Sequence, residues 1–111
     1  MEAELMPVER DQYGYLEDPG QWSREMAATL AQAQGIETLT AEHWKVIDYL
    51  RQHHLAHGTL PPMEQICHAI GLKDDCIRHL FRGPNRAWII AGLPNPGEEA
   101  RTYMLNEEPP E

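Results

Sequence analysis

The stretch Arg82–Pro96, RGPNRAWIIAGLPNP, decides how the end of this chain is built. Its Gly-Pro pair opens a short helix, the apolar run 87–91 forms the helix body, and Gly92 closes it. Two closely spaced prolines, Pro94 and Pro96, then keep the following chain extended. The stretch therefore predicts a short helix that presents a C-terminal arm to a partner.

Four further helices are predicted before this stretch. The first begins at Asp18, a capping residue followed directly by a proline, with Gln21 placed to complete a capping box. The second is the longest and begins at Thr40, where Leu39 can pack against Trp44 as a hydrophobic staple. With the apolar periodicity, these signals place the four helices at residues 19–34, 40–58, 61–70 and 74–81.

The ends of the chain carry weaker patterns. Residues 1–10 are acidic and lack periodicity, which predicts disorder, and residues 12–17, QYGYLE, favour a short β-hairpin or an edge strand. Near the other end, a helical turn or two is predicted at 100–105. The sequence thus predicts one all-α domain at residues 11–97, a small bundle of about five helices, followed by an acidic tail at 98–111.

The charge is unevenly spread along the chain. Residues 1–42 carry nine acids and two bases, residues 43–96 four acids and six bases, and residues 97–111 five acids and one base, which gives the net charge of −9. This balance argues against a general nucleic-acid binder, although the middle of the chain keeps a local basic surface.

Neither a targeting segment nor a membrane segment is predicted. No apolar run approaches the about 18 residues of a membrane span, and the acidic N-terminus does not fit a signal peptide, so we expect a cytoplasmic protein. The two cysteines, Cys67 and Cys76, are too few for a disulfide framework and fall within apolar helical patterns. We expect both to be reduced, partly buried thiols.

The helix pair at 62–82 has the spacing of a helix-turn-helix element, with Gly71 in the tight turn. Arg78, Arg82 and Arg86 follow at intervals of four residues, so the first two share a face that could meet phosphates. Asn and Gln, which read base edges, are missing from residues 73–82. A helical corner with solvated arginines is therefore favoured over a DNA reader.

Thiol catalysis has two candidate nucleophiles, Cys67 and Cys76. Neighbouring side chains on a helix point about 100 degrees apart, so Cys67 and the adjacent His68 do not form a dyad. Cys76 lies near a helix N-terminus, which favours a thiolate, but Asp74 and Asp75 oppose that effect. We expect both cysteines to be packed as small apolar residues.

No metal site and no cofactor site are predicted. His53 and His57 lie one helical turn apart, and Cys76 and His79 have ligand-like spacing. The two pairs lie on different helices, however, and no second short-spaced motif completes a set of four ligands.

Four segments form a combined pattern: Asp11-x-x-Gly14-Tyr15-Leu16-x-Asp18 with Trp22, Leu39-Thr40-x-Glu42-His43-Trp44-x-Val46-Ile47-x-Tyr49-Leu50-Arg51, Leu80-Phe81-x-Gly83-Pro84, and Ile90-Ala91-Gly92-Leu93-Pro94-x-Pro96. Together they resemble the DsrC/TusE/DsvC family of sulfur-relay proteins, which includes the gamma subunit of dissimilatory sulfite reductase. The resemblance covers residues 11–97 and implies a small helical fold with a mobile C-terminal arm.

The resemblance also implies a sulfur-carrying cysteine next to last on the arm. In the family this cysteine accepts sulfur as a persulfide and passes it on, either within tRNA 2-thiouridine synthesis or to and from sulfite reductase. Some members have a second cysteine shortly before the Ile-Ala-Gly-Leu-Pro segment. In this chain the two positions fall at Glu99 and Trp88. Neither side chain can hold a persulfide, because that chemistry requires a thiolate.

We therefore expect a non-catalytic or regulatory family member that docks sulfurtransferase or sulfite-reductase components. Its predicted docking residues are Arg82, Arg86, Trp88, Gly92, Leu93 and Pro94. Two alternatives stay open. One is a sulfurtransferase-type carrier that uses Cys67 or Cys76, and the other is a helix-turn-helix, nucleic-acid-binding regulator of sulfur metabolism that uses Arg78 and Arg82.

Overall fold

Six α-helices and one short 3-10 turn make up the computed structural model, which describes residues 10–58, 60–61 and 63–106. The 3-10 turn is Pro19–Gln21, and the helices are α1 (Arg24–Ala33), α2 (Ala41–His57), α3 (Met63–Ala69), α4 (Cys76–Phe81), α5 (Pro84–Ile90) and α6 (Glu98–Asn106). The predicted all-α class is confirmed. Within the described residues, no helix has the length and apolar character needed to cross a membrane.

The predicted hairpin at 12–17 is reduced to one antiparallel bridge between Arg10 and Leu16. Asp11 holds the turn, because its Oδ1 accepts from the backbone N–H groups of Tyr13 and Tyr15 at 2.9 and 3.0 Å. Tyr15 and Leu16 are each 1% exposed, so the turn is fastened to the core. Apart from Arg10, the segment predicted to be disordered lies outside the described residues.

The first predicted helix, 19–34, is divided in two. Asp18 caps only the 3-10 turn, by accepting from the N–H of Gly20, and Trp22 is already in extended backbone. Ser23 then caps α1 by accepting from the N–H of Met26 at 3.1 Å. Asp18 and Ser23, five positions apart, thus each begin a separate helical segment. Trp22 lies in the break between the two segments, where its indole bonds to the Ile90 carbonyl.

Helix α2 begins and ends where the sequence predicts. Thr40 caps it, and Gly58 ends it in the left-handed conformation. The capping box is completed by His43, whose Nδ1 accepts from the Thr40 N–H at 3.0 Å. Its Nε2 lies 2.9 Å from the carbonyl oxygen of Leu80, which can only accept, so Nε2 carries the proton. One buried imidazole thus caps α2 and ties it to α4.

Helix α5 lies at the centre of the fold, in contact with α1, α2, α4 and α6. Five of its seven residues are buried, and Trp88 is the largest of the fully buried side chains. Helices α1, α2 and α4 each add three core residues, and those of α2, Val46, Ile47 and Leu50, are all fully buried. The apolar body of the stretch that decides the fold is therefore the middle of the core.

The expectation of two reduced thiols is wrong. Cys67 of α3 and Cys76 of α4 form a disulfide with a Cα–Cα distance of 5.7 Å, and they are buried to 1% and 3% exposure. The short turn between the two helices, which includes Gly71, returns the chain on itself and brings the two cysteines together. Composition does not reveal this pairing, because it depends on how the two helices cross.

The segment predicted as a tail contributes a helix to the fold. Helix α6 packs against α5, and its Met104 is fully buried. On the same helix, the Arg101 guanidinium lies 3.9 Å over the Tyr13 ring. The predicted turn or two at 100–105 is thus part of a nine-residue helix, and the folded body extends to 106.

Candidate functional site

The segment 90–97, which we call the arm root, is held through its backbone carbonyl oxygens. Trp22 Nε1 donates to the Ile90 carbonyl at 2.9 Å, and Arg51 Nη1 donates to the Ala91 carbonyl at 2.7 Å. Trp88 Nε1 donates to the Pro94 carbonyl at 2.7 Å. The first two bonds satisfy carbonyls that the end of α5 leaves without a helical partner, and the third holds the chain beyond the helix.

Arg51 joins the arm root to the start of the chain. Its Nη2 donates to the Pro19 carbonyl at 3.1 Å, and its guanidinium lies 4.1 Å over the Trp22 ring. Burial lowers the pKa of Arg51, an effect that the charge of Asp48 opposes. An arginine remains charged throughout, so both of its hydrogen bonds are charge-assisted.

Gly92 makes the close approach of Trp22 to the arm root possible. It has φ of 72°, in the left-handed region, and a Cβ built at this position would overlap the Trp22 indole. Only glycine meets both conditions, since it has no Cβ and adopts positive φ freely. The arm root and the indole therefore fit together as one rigid unit.

The outer end of the arm root is fastened to the N-terminal turn. Asn95 donates from Nδ2 to Asp11 Oδ2 at 3.3 Å and accepts from the Gly97 N–H at 2.9 Å. Nearby on α5, Asn85 Oδ1 accepts from the Tyr15 hydroxyl at 2.5 Å. The start of the described chain thus braces the segment that connects α5 to α6, so this segment belongs to the folded body and is not the free arm that the sequence predicts.

The DsrC-like protein family model matches residues 2–98. This chain belongs to the DsrC-like family. Its sulfurtransferase TusE relatives include those of Salmonella typhimurium (strain LT2), 37% identical, and Escherichia coli (strain K12), 36% identical. Each alignment spans 98 residues and covers 80% of this chain and 89% of the relative.

Solved structures of the family share the fold. The oxidized gamma-subunit of the dissimilatory sulfite reductase (DsrC) from Archaeoglobus fulgidus is 33% identical, with a TM-score of 0.72 over 82% of this chain and 90% of that one. The DsrC/gamma subunit from Pyrobaculum aerophilum is 34% identical, with a TM-score of 0.71 over 82% and 85%. Dissimilatory sulfite reductase I (DsrI) is 31% identical, with a TM-score of 0.74 over 82% of this chain and 89% of that one.

The two positions at which the DsrC-like resemblance places cysteines have different surroundings. Trp88 is 1% exposed and donates to the arm root, so its indole is part of the core. Glu99 is exposed in the first turn of α6. A carboxylate there stabilises the helix N-terminus electrostatically but cannot accept sulfur.

The structure separates the six predicted docking residues into two groups. Trp88, Gly92 and Leu93 are buried in the folded body, where they pack in or against the arm root. The remaining three, Arg82, Arg86 and Pro94, are exposed or half-buried. We call these three the corner surface.

The predicted phosphate-binding face contains Arg78 and Arg82, which are both exposed. Helix α4 has only six residues, so it is about 9 Å long at 1.5 Å per residue. Arg82 lies at its C-cap with φ of 67°. The element that would enter a groove is thus shorter than two helical turns.

Aromatic and imidazole rings form a row along α2, of which the sequence predicted only the one-turn spacing of His53 and His57. The rings of Tyr49 and His53 stack at 6.2 Å, and those of His53 and His57 lie 4.6 Å apart. On the adjacent face, His54 meets the Trp88 ring edge-on at 6.1 Å. Burial, and then the charges of Arg51 and His53, lower the pKa of His54. In the described chain, no three His, Cys, Asp or Glu residues form a group able to hold a metal ion.

Proposed function

We propose that this DsrC-like protein is a non-catalytic or regulatory member of a sulfur relay. It would dock sulfurtransferase or sulfite-reductase components in the cytoplasm without carrying sulfur on its arm. The observation that carries the proposal is the exposed carboxylate of Glu99, at the position where the family resemblance places the acceptor cysteine. No cysteine follows Cys76 in the sequence.

The state of the two cysteines supports this proposal over a sulfur carrier that uses them. A persulfide forms on a thiolate, and both sulfurs of Cys67 and Cys76 are committed to a buried disulfide. A carrier role would first need reduction of that bond. The docking body needs no such step.

The corner surface is the proposed contact with the partner. Arg82 and Arg86 follow one another along the edge where α4 meets α5, and Pro94 belongs to the arm root. Arginines at the edge of an interface contribute mainly to association rate and specificity. We expect the partner to bring an acidic patch, and the complex to weaken as salt rises.

The test is a reconstituted sulfur transfer in which a cysteine-bearing relative passes sulfur between purified partners from the same organism. Added in excess, this chain should slow the transfer and should itself gain no sulfur by intact mass. Arg82→Glu should weaken the inhibition, because it places a carboxylate on the corner surface, whereas Glu25→Lys on the exposed side of α1 should not. Lack of inhibition at low salt, or an arm that gains sulfur, would contradict the proposal.

The nucleic-acid alternative has its own test. If the protein bound promoter DNA through α4, replacing both Arg78 and Arg82 with alanine should lower its affinity and its salt dependence. Unchanged binding by that variant would remove this face as the reader.

A further inference from the structure

The two sulfurs of the disulfide differ in their surroundings. Both cysteines are buried, Cys67 to 1% and Cys76 to 3% exposure, but only Cys76 is among the residues that line an open cleft of about 400 Å³. The cleft lies between the start of α2 and the first turns of α4. A molecule in the cleft can therefore approach the disulfide from the Cys76 side.

The lining of this cleft combines charges of both signs with an apolar wall. The residues are Glu42, Leu72, Lys73, Asp75, Cys76, His79 and Leu80. No salt bridge between two of them is formed in the described part of the chain. Its volume falls within the range of small-molecule sites, about 300–1,000 Å³. The charge pattern suits a small ligand that carries both ammonium and carboxylate groups.

We propose that Cys76 is the entry sulfur of an exchangeable disulfide, opened through this cleft by a low-molecular-weight thiol built from amino acids. The product is a mixed disulfide on Cys76. This modification site lies apart from the arm root and the corner surface. Its failure would leave the docking proposal standing, whereas its success would mean that the disulfide alone does not exclude a carrier role for Cys76.

The exchange is balanced in atoms and electrons. The external thiolate attacks Cys76 Sγ and forms a new S–S bond to it, while the bond between Cys76 and Cys67 breaks. The electron pair of that bond remains on Cys67 Sγ, which takes up a proton from water. Attack by Cys67 on the mixed disulfide reverses the step and expels the thiol. No oxidant or metal is needed.

Cellular chemistry favours an exchangeable bond over a permanent one. In the cytoplasm, where we place the protein, thiols are kept reduced, and disulfides are usually transient and catalytic or redox-sensing. The bond also ties α3 to α4, which share the short turn around Gly71. Opening it removes the covalent link between the two helices.

The first experiment locates the entry sulfur in the unaltered protein. Oxidised full-length protein is mixed with glutathione, quenched at short times with N-ethylmaleimide and mapped by peptide mass. We expect glutathione on Cys76 and maleimide on Cys67. Glutathione on Cys67 instead would overturn the proposal. So would a disulfide that resists the thiol until the protein is denatured, or native protein in which both cysteines alkylate without reductant.

The second experiment measures the asymmetry with single-cysteine variants. Cys67→Ser leaves only Cys76 and should react with oxidised glutathione at least about tenfold faster than Cys76→Ser, because Cys67 must wait for local opening. The two variants replace the two ends of the same bond, so any general loss of the crosslink affects both. Equal rates, or a faster Cys76→Ser variant, would reject Cys76 as the entry sulfur.

The third experiment tests whether the cleft selects the thiol. In the Cys67→Ser background, Lys73→Glu should slow the reaction with oxidised glutathione, which is anionic, several-fold. The same change should leave the reaction with the neutral 2-hydroxyethyl disulfide unaltered. Equal slowing of both reagents would show that the substitution disturbs Cys76 itself and that the cleft does not recognise the ligand.

Discussion

Replacing Gly92 with alanine should destabilise the protein by two separable effects. The left-handed backbone at this position costs a non-glycine residue about 1–2 kcal/mol, partly offset by the lower entropy of the unfolded chain. The added Cβ also overlaps the Trp22 indole, and overpacking of this kind costs about 1–3 kcal/mol. We expect about 2–4 kcal/mol in total, which lowers the Tm of a domain of this size by about 10–15 °C.

Gly58→Ala is the matched control, since Gly58 has φ of 69° but an alanine Cβ at this position would meet nothing within 4 Å. It should show only the backbone effect, about 1 kcal/mol. Urea unfolding of both variants gives the difference, and that difference should largely disappear when Gly92→Ala is made in a Trp22→Gly background, which removes the Trp22 Cβ at 2.8 Å together with the indole. Equal costs at the two glycines, or a cost at Gly92 that does not depend on Trp22, would refute this account of the arm root.

Three further predictions concern single side chains. Arg82 has positive φ, so Arg82→Gly should raise the free energy of unfolding by about 0.5–1 kcal/mol, measured by urea unfolding, whereas Arg82→Ala should not raise it. Glu99→Cys should accept one sulfur atom from a persulfide donor that also loads a cysteine-bearing relative, whereas Glu99→Ser should not; unchanged mass would contradict the assigned acceptor position. Because burial, Arg51 and His53 lower the pKa of His54 below 6.5, the unfolded chain binds this proton more readily, and stability should fall as pH drops below that value. His54→Gln should flatten the decline between about pH 7 and about pH 5.5, measured by urea unfolding, and an equally steep profile would exclude this cause.

Helix starts and stops were predictable where the signal is local. Thr40 and Gly58 bound α2 through contacts with their own neighbours, and both are visible in the sequence. The division of the first predicted helix was not, because Asp18 and Ser23 are both good caps. The choice between them follows from Trp22, whose indole bonds to a carbonyl 68 residues away. Such a contact exists only once the chain has folded.

The sequence predicted which segment forms the candidate site, but not how the surrounding side chains are arranged around it. The sequence located the segment of the arm root, and the family resemblance placed the acceptor position at Glu99. They did not show that Arg51 supports the arm, because a mid-helix arginine looks like any solvated charge until its partners are known. The disulfide was missed for a related reason, since two cysteines are too few for a disulfide framework and their pairing depends on how α3 and α4 cross. The fold brings Cys67 and Cys76 together all the same.

Trp22, Arg51 and Trp88 hold the arm root through backbone oxygens, those of Ile90, Ala91 and Pro94. Every amino acid supplies the same oxygen, so this anchorage places little demand on the identity of the residues that follow it. The residue at position 99 can therefore be a thiol or a carboxylate while these three hydrogen bonds stay intact. Gain or loss of a reactive group beyond the arm root should therefore cost this fold little stability.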